Sequence, residues 1–273
     1  MKYRGRIAPT PTGFLHLGHA ATFHTAFRRA RDAGGEVILR IEDLDPHRCR
    51  EEFVMAAIED LDWLGIRWTG DPVYQSNRRD LYLAVWKKLR DGGWIYPCTR
   101  SRKEVSTIAP HEEEPVFPPE WRVDPSTACD FDSPVGFNWR FRVPDNRRVT
   151  FHDGHFGKII KTTLHDFGDF LVWNRDNIPA YELAVVVDDA EITEVVRGAD
   201  LLTSTARQIL LHEALGQPPP LWFHCPLVRD SSGNRLSKRA GDLGIRELRA
   251  SGKSPSDVLE MASAMSLGQT LID

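Results

Sequence analysis

The run Ile7-Ala8-Pro9-Thr10-Pro11-Thr12-Gly13 constrains this chain more than any other stretch. Its prolines and glycine stop the β-rich segment Tyr3 to Ile7 abruptly, because proline has no N–H to give a sheet ladder and glycine turns freely. Helical spacing follows at once. Ala20, Phe23, Phe27 and Ala30 recur on one face, and Gly34-Gly35 ends the pattern where a left-handed cap is easiest. Strand, tight turn and helix therefore put His16-Leu17-Gly18-His19 at a helix N-terminus. Free backbone N–H groups and the helix dipole attract phosphate there, and Gly18 lets a ligand approach the backbone closely. The alternative is that His16 and His19 are ordinary surface or half-buried histidines.

A second string, Arg235-Leu236-Ser237-Lys238-Arg239, follows a flexible polar stretch with a glycine at 231–234 and suits a loop closing over a polyphosphate. An ammonium at Lys238 can neutralise charge that develops during phosphoryl or nucleotidyl transfer. Taken alone, the string reads as a solvated basic loop. Paired with the histidine string, it reads as the other edge of a split phosphate site.

Between the strings the pattern is α/β. Glu36 to Glu42 is a β-rich run, Glu51 to Leu64 an amphipathic helix, and Asn77 can cap a helix with Leu81, Val85 and Leu89 on its inner face. The alternation predicts a parallel sheet in the first hundred residues. From Ser101 to Asp145 prolines are dense, Glu112-Glu113-Glu114 is an acid run and helical periodicity disappears, marking an insertion with short strands such as Asn138 to Val143. Alternation returns near Leu164, with strands at Phe170 to Trp173 and Ile192 to Val196 and a helix from Thr205 to Gly216. Asp188 and Asp189 either orient a ligand or, as expected here, end a buried strand. After Gly241 a short helical appendage remains, its last helix starting at Ser254-Pro255.

Composition narrows the class less. At 273 residues, with 41% hydrophobic and 27% charged residues, the chain can bury one large core or two small ones. No signal-peptide core or spanning stretch is visible, and Cys49, Cys98, Cys129 and Cys225 lack paired spacing, which points to a reducing cytoplasm. A net charge of −4 argues against a protein that clings to nucleic acid through bulk charge. Any RNA contact must then be local, at Arg28, Arg29 and Arg31, at Arg100, Arg102 and Lys103, or at Arg147, Arg148, Lys158 and Lys161.

The stretch from Arg6 to His19 closely resembles the opening of glutamate-specific class I aminoacyl-tRNA synthetases, and Arg235 to Arg239 resembles their lysine-containing signature loop. Arg40-Ile41-Glu42-Asp43-Leu44-Asp45, the run Tyr181 to Asp189, and Val196-Arg197-Gly198-Ala199-Asp200 are further matches in order. The resemblance implies a Rossmann-like catalytic domain at 1–97 and 164–240, split by an inserted α+β acceptor-type subdomain at 98–163 and followed by a helical stub at 241–273. It also implies ATP as a substrate with Mg2+, gripped by His16, Gly18, His19, Arg235, Leu236, Ser237 and Lys238, of which His16, His19 and Lys238 are catalytic. Glutamate, with two carboxylates and one ammonium, would be held by Arg6, Ile7, Ala8, Pro9, Thr10, Glu42, Tyr181 and Arg197. Arg6 would meet its side-chain carboxylate and Glu42 its ammonium. A purely structural Arg6–Glu42 ion pair is the alternative.

The chain ends 34 residues past Arg239, where a glutamyl-tRNA synthetase carries a large helical anticodon-binding region. That length is similar to a truncated branch of the family which attaches glutamate to the queuosine base in the anticodon of tRNA(Asp). The expectation is therefore a monomer acting on L-glutamate, ATP and queuosine-carrying tRNA(Asp), with no membrane partner. The rivals are an ordinary acceptor-end glutamyl-tRNA synthetase, a non-catalytic RNA-binding module and a nucleotidyltransferase making a small amide. Many relatives bind zinc in the insertion through two cysteines, a tyrosine and a third cysteine. Here Cys98 keeps the first place, while Arg100, Phe117 and Trp121 fall at the others. One thiolate cannot build a tetrahedral zinc site, so no zinc is predicted and Phe117 and Trp121 are expected to form a small aromatic core.

Overall fold

The computed structural model describes residues 2–100, 104–105, 115–227 and 244–266. In chain order the elements are β1 (Arg4–Ile7), α1 (Leu17–Asp32), β2 (Glu36–Ile41), α2 (Glu51–Trp63), β3 (Val73–Tyr74), α3 (Arg79–Asp91), β4 (Ile95–Cys98), β5 (Asn138–Phe141), β6 (Arg148–Asp153), β7 (Gly157–Thr162), β8 (Phe170–Trp173), α4 (Tyr181–Asp188), β9 (Glu194–Gly198), α5 (Leu202–Leu215), β10 (Leu221–Cys225), α6 (Ile245–Ala250) and α7 (Pro255–Ser266). They form two compact units: 1–76 with 191–201 and 221–273, and 77–190 with 202–220.

The first unit holds the parallel strands. β1 pairs β2 in parallel from Arg4 opposite Glu36 to Ile7 opposite Leu39, β2 pairs β3, and β9 pairs β10 in parallel. β1 also meets β9, since Thr193 N–H donates to the Arg4 carbonyl at 2.9 Å. Ile7, Leu39, Ile41 and Val196 bury the sheet against Leu17, Ala20, Ala26 and Ala30 of α1. The alanines thin that helix face, so α1 sits close to the strands. Val258 and Ala262 of α7 join the same core. A carboxylate ties these parts together: buried Glu194 accepts from Arg29 Nε and Nη2, both at 2.7 Å, and from the Tyr3 hydroxyl at 2.7 Å. Helix α6 is held to α2 by Arg246 and Arg249, which reach Glu59 at 2.6 and 2.9 Å. Arg246 Nε also lies 3.6 Å from buried Asp60, whose carboxyl is pushed up to about 6, chiefly by desolvation.

The second unit is antiparallel. β5 runs between β4 and β8, and β6 and β7 form a hairpin from Arg148 opposite Thr162 to Asp153 opposite Gly157. Trp86 of α3 meets Trp139 of β5 edge to face, with centroids 4.7 Å apart. Buried Asp169 gathers the Tyr96 hydroxyl at 2.6 Å, Arg122 through two nitrogens at 2.7 and 2.8 Å, and the Val143 N–H at 3.1 Å.

Three sequence expectations need correction here. The inner face of α3 is Tyr82, Trp86 and Leu89, whereas Leu81 is 48% exposed. Asn77 lies inside a 3-10 turn, Gln75–Arg78, rather than capping α3. The valine-rich run ending at Asp188 is a helix and not a strand. Its side chains are buried from Glu182 through Val186, so burial on every face erased the period that separates helix from strand. Asp188 closes that helix and accepts from Arg78 Nε at 2.7 Å and from the Tyr82 hydroxyl at 2.9 Å, clamping α4 to α3.

On α5, burial lowers the His212 imidazole from 6.5 to about 4, with the Asp189 charge acting weakly the other way. The unfolded chain takes its proton near pH 6.5 and the folded chain only near 4. The stability contribution is therefore complete above about pH 6.5 and is lost as pH falls toward 4. Relative to a His212→Phe variant, wild type should lose on the order of 3 kcal/mol of unfolding free energy across that window. Urea melts at stepped pH measure this, and parallel pH profiles for the two proteins would show that His212 titrates normally in the fold.

Candidate active site

The turn after β1 delivers His16 to the N-cap of α1, and its imidazole performs the capping itself. His16 Nδ1 accepts from the Gly18 N–H at 3.1 Å, and His19 Nδ1 accepts from the His16 N–H at 3.2 Å. The two rings lie with centroids 3.9 Å apart, tilted by 42°. With both Nδ1 atoms accepting, each neutral ring carries its proton on Nε2, where it can donate to an anion at the helix entrance. Gly18 has a further reason to lack a side chain: an added Cβ would sit 3.0 Å from Cε1 and 3.2 Å from Nδ1 of His16. The glycine makes room for the histidine.

The chain re-enters the described residues at this entrance. Gly244 bridges to His16, and the Ile245 N–H donates to the Leu15 carbonyl at 3.1 Å. Arg235, Leu236, Ser237 and Lys238 lie outside the described residues, as do Arg102, Lys103 and the acid run at 112–114.

The other predicted site residues of the first unit gather where parallel strands end, the edge at which α/β sheets bind ligands. Ile7 is fully buried at the end of β1, Pro9 is buried, Ala8 is half-buried and Thr10 is exposed. The Pro9 carbonyl accepts the Glu42 N–H at 3.0 Å, which fixes the turn beside the end of β2. Thr10 Oγ1 donates to Glu42 Oε2 at 3.3 Å, and Arg40 Nη2 donates to Glu42 Oε1 at 3.1 Å. The carboxylate partner is thus Arg40, not Arg6. Arg6 instead gives Nη1 to the Val196 carbonyl at 2.8 Å, one residue before Arg197. Arg197 Nε donates to His224 Nε2 at 3.2 Å, and its guanidinium lies 4.7 Å from the Trp222 ring centroid. Arg6, Arg40 and Arg197 are 5%, 1% and 4% exposed, so three guanidiniums are buried in one unit. Tyr181 belongs to the second unit, at the start of α4, and is 38% exposed.

The sequence assigns no role to Arg40 within its matched run or to His224. Arg40 sits two residues before Glu42 on one strand face, a period-2 signal that was available. For His224 no local signal exists, because its partner lies on another strand.

The four positions of the family's zinc quartet come together in the second unit without a metal-binding character. Cys98 is buried among Tyr96, Val105 and Phe117, with Trp121 packed against them. Phe117 and Trp121 meet edge on at 5.7 Å, and the Arg100 guanidinium lies 4.6 Å from the Trp121 centroid. A cation and two aromatic rings do not fit the donor set zinc requires. No group of three or more His, Cys, Asp or Glu among the described residues could hold a metal ion. Of the basic clusters, Arg29 is committed to Glu194 and Arg147 to Glu213, whereas Arg148 and Lys158 stand exposed on the hairpin.

Residues 2–269 match the family described as tRNA synthetases class I (E and Q), catalytic domain. The chain belongs to this family of class I tRNA synthetases and has their catalytic fold. It is 40% identical, over 96% of its length and 84% of the relative's, to a Rhodopirellula baltica protein named Glutamyl-Q tRNA(Asp) synthetase. It is also 40% identical to the Glutamate--tRNA ligase of Aquifex aeolicus, over 93% of this chain and 55% of the ligase. A crystal structure of a glutamate tRNA ligase from Elizabethkingia meningosepticum in complex with its amino acid superposes with a TM-score of 0.80 at 27% identity. That match covers 96% of this chain, which spans 60% of the ligase's length.

Class I synthetases use ATP, and the helix entrance gives the test. Gly18→Ala should displace the His16 ring and weaken ATP binding by about ten-fold in equilibrium titration, while the lost cap costs only ~1 kcal/mol in thermal melts. Unchanged ATP affinity would separate His16 from the nucleotide.

Proposed function

We propose that this chain activates L-glutamate with ATP and transfers it to the queuosine base in the anticodon of tRNA(Asp). The carrying observation is the 40% identity to a relative named for that reaction, extending over 96% of this chain. The site chemistry supports the activation step. Glutamate's two carboxylates call for guanidiniums, and Arg6 and Arg197 rise from neighbouring strands; its ammonium calls for a carboxylate, and Glu42 is held ready by Thr10 and Arg40. Ile7, Ala8 and Pro9 supply the backbone wall.

In the first step the α-carboxylate of glutamate attacks the α-phosphorus of ATP in line. The bond to the β-phosphate oxygen breaks, pyrophosphate leaves and glutamyl-adenylate remains. No protein nucleophile is needed. His16 and His19 donate through Nε2 to phosphate oxygens, Lys238 neutralises charge on the departing pyrophosphate, and Mg2+ arrives as part of the nucleotide substrate. In the second step a hydroxyl of the queuosine ring attacks the acyl carbon, an ester forms and AMP leaves. The four cysteines are free thiols, which supports work in a reducing cytoplasm.

Two measurements check this reading. Lys238→Ala should lower glutamate-dependent ATP/pyrophosphate exchange by on the order of 10²- to 10³-fold or more with the fold intact by circular dichroism; retained exchange removes the lysine from the mechanism. Labelled glutamate should appear on the anticodon nucleoside of queuosine-containing tRNA(Asp) and not on the 3′-terminal ribose of tRNA(Glu). The opposite result supports the acceptor-end reading, which the Aquifex aeolicus similarity favours.

A further inference from the structure

We infer that His224 is a positioning residue for glutamate, acting through Arg197. This rests on the proposed role of Arg197 as a glutamate partner. The parallel register of β9 and β10 sets His224 directly opposite Arg197, and Trp222, two residues earlier on β10, shares its side of the strand. The imidazole is fully buried and accepts from Arg197 Nε at 3.2 Å, while the indole supports the guanidinium at 4.7 Å. Trp222 and His224 are themselves stacked, tilted by 19°. The guanidinium is thus held by an acceptor and an aromatic face contributed by one strand.

The chemistry gives this arrangement a consequence for substrate. Arginine never offers an acceptor, so a ring nitrogen facing its Nε must be unprotonated, and His224 is the tautomer that carries its proton on Nδ1. Nη2 also reaches the Leu201 carbonyl at 3.5 Å, so the imidazole on Nε and this carbonyl together set how the fork is turned toward an incoming carboxylate. A side chain of similar size without an acceptor would fill the space and leave the guanidinium unaimed. An amide oxygen near the Nε2 position would restore the aim.

ATP/pyrophosphate exchange in the full chain, with glutamate and ATP varied separately, tests this. His224→Phe should raise KM for glutamate by on the order of ten-fold or more, leave KM for ATP unchanged, and be largely rescued by His224→Gln. If the phenylalanine variant does not fold, His224→Asn, whose amide is too short to reach, takes its place. Wild-type glutamate KM in the acceptor-free variant, or equal damage in the glutamine variant, would overturn the inference. Arg197→Ala separates the two readings. If it leaves KM for glutamate unchanged, the pocket assignment fails; if it raises KM while His224→Phe does not, only the positioning role fails.

Discussion

Burying a guanidinium is the constraint around which the ligand end of the first unit is built. Arg6, Arg40 and Arg197 are all withdrawn from water within that one unit, and a buried charge costs several kcal/mol unless paired or hydrogen-bonded. Each is met differently: Arg6 by a backbone carbonyl of β9, Arg40 by Glu42, and Arg197 by an imidazole and an indole. Arg6 and Arg197 find their partners on neighbouring strands, so those two charges also fix how β1, β9 and β10 lie against one another. Only a parallel arrangement with common carboxyl ends lets β1, β2 and β9 present these groups on one edge. The same cations that constrain the fold are those an acidic amino acid needs.

The phosphate side follows a similar economy. The first turn of α1 has N–H groups that need acceptors, and His16 provides one instead of the more usual serine or aspartate. An acidic cap would repel a polyphosphate, whereas a neutral imidazole satisfies the helix through Nδ1 and keeps Nε2–H to donate. Gly18 belongs to this device because the ring lies where its Cβ would be. The same two side chains that cap the helix are those proposed to bind the anion, so neither role can be altered alone.

In the second unit, Cys98, Arg100, Phe117 and Trp121 come together with no donor set for zinc. A thiol, a guanidinium and two aromatic rings are held there by apolar packing and cation–π contact. Nearby, Asp169 joins Tyr96, Arg122 and the Val143 N–H through one buried carboxylate. Packing and a polar hub hold this region together.

What the sequence by itself determined was local. Prolines and a glycine after Ile7 ended a strand, regular apolar spacing began a helix, and their junction set His16 and His19 at its entrance. The parallel sheet and the aromatic pairing of Phe117 with Trp121 were legible for the same reason, since each rests on short-range spacing or on residue types at matched motif positions. Where every face is buried, as along Leu183 to Val186, the period vanished and a helix read as a strand. Tertiary structure alone decided that Arg6 reaches Val196 and that His224 faces Arg197. Those pairs depend on which strands become neighbours and in what register, and hydrogen-bonding partners separated by 27 or 190 residues leave no periodic trace in a single chain.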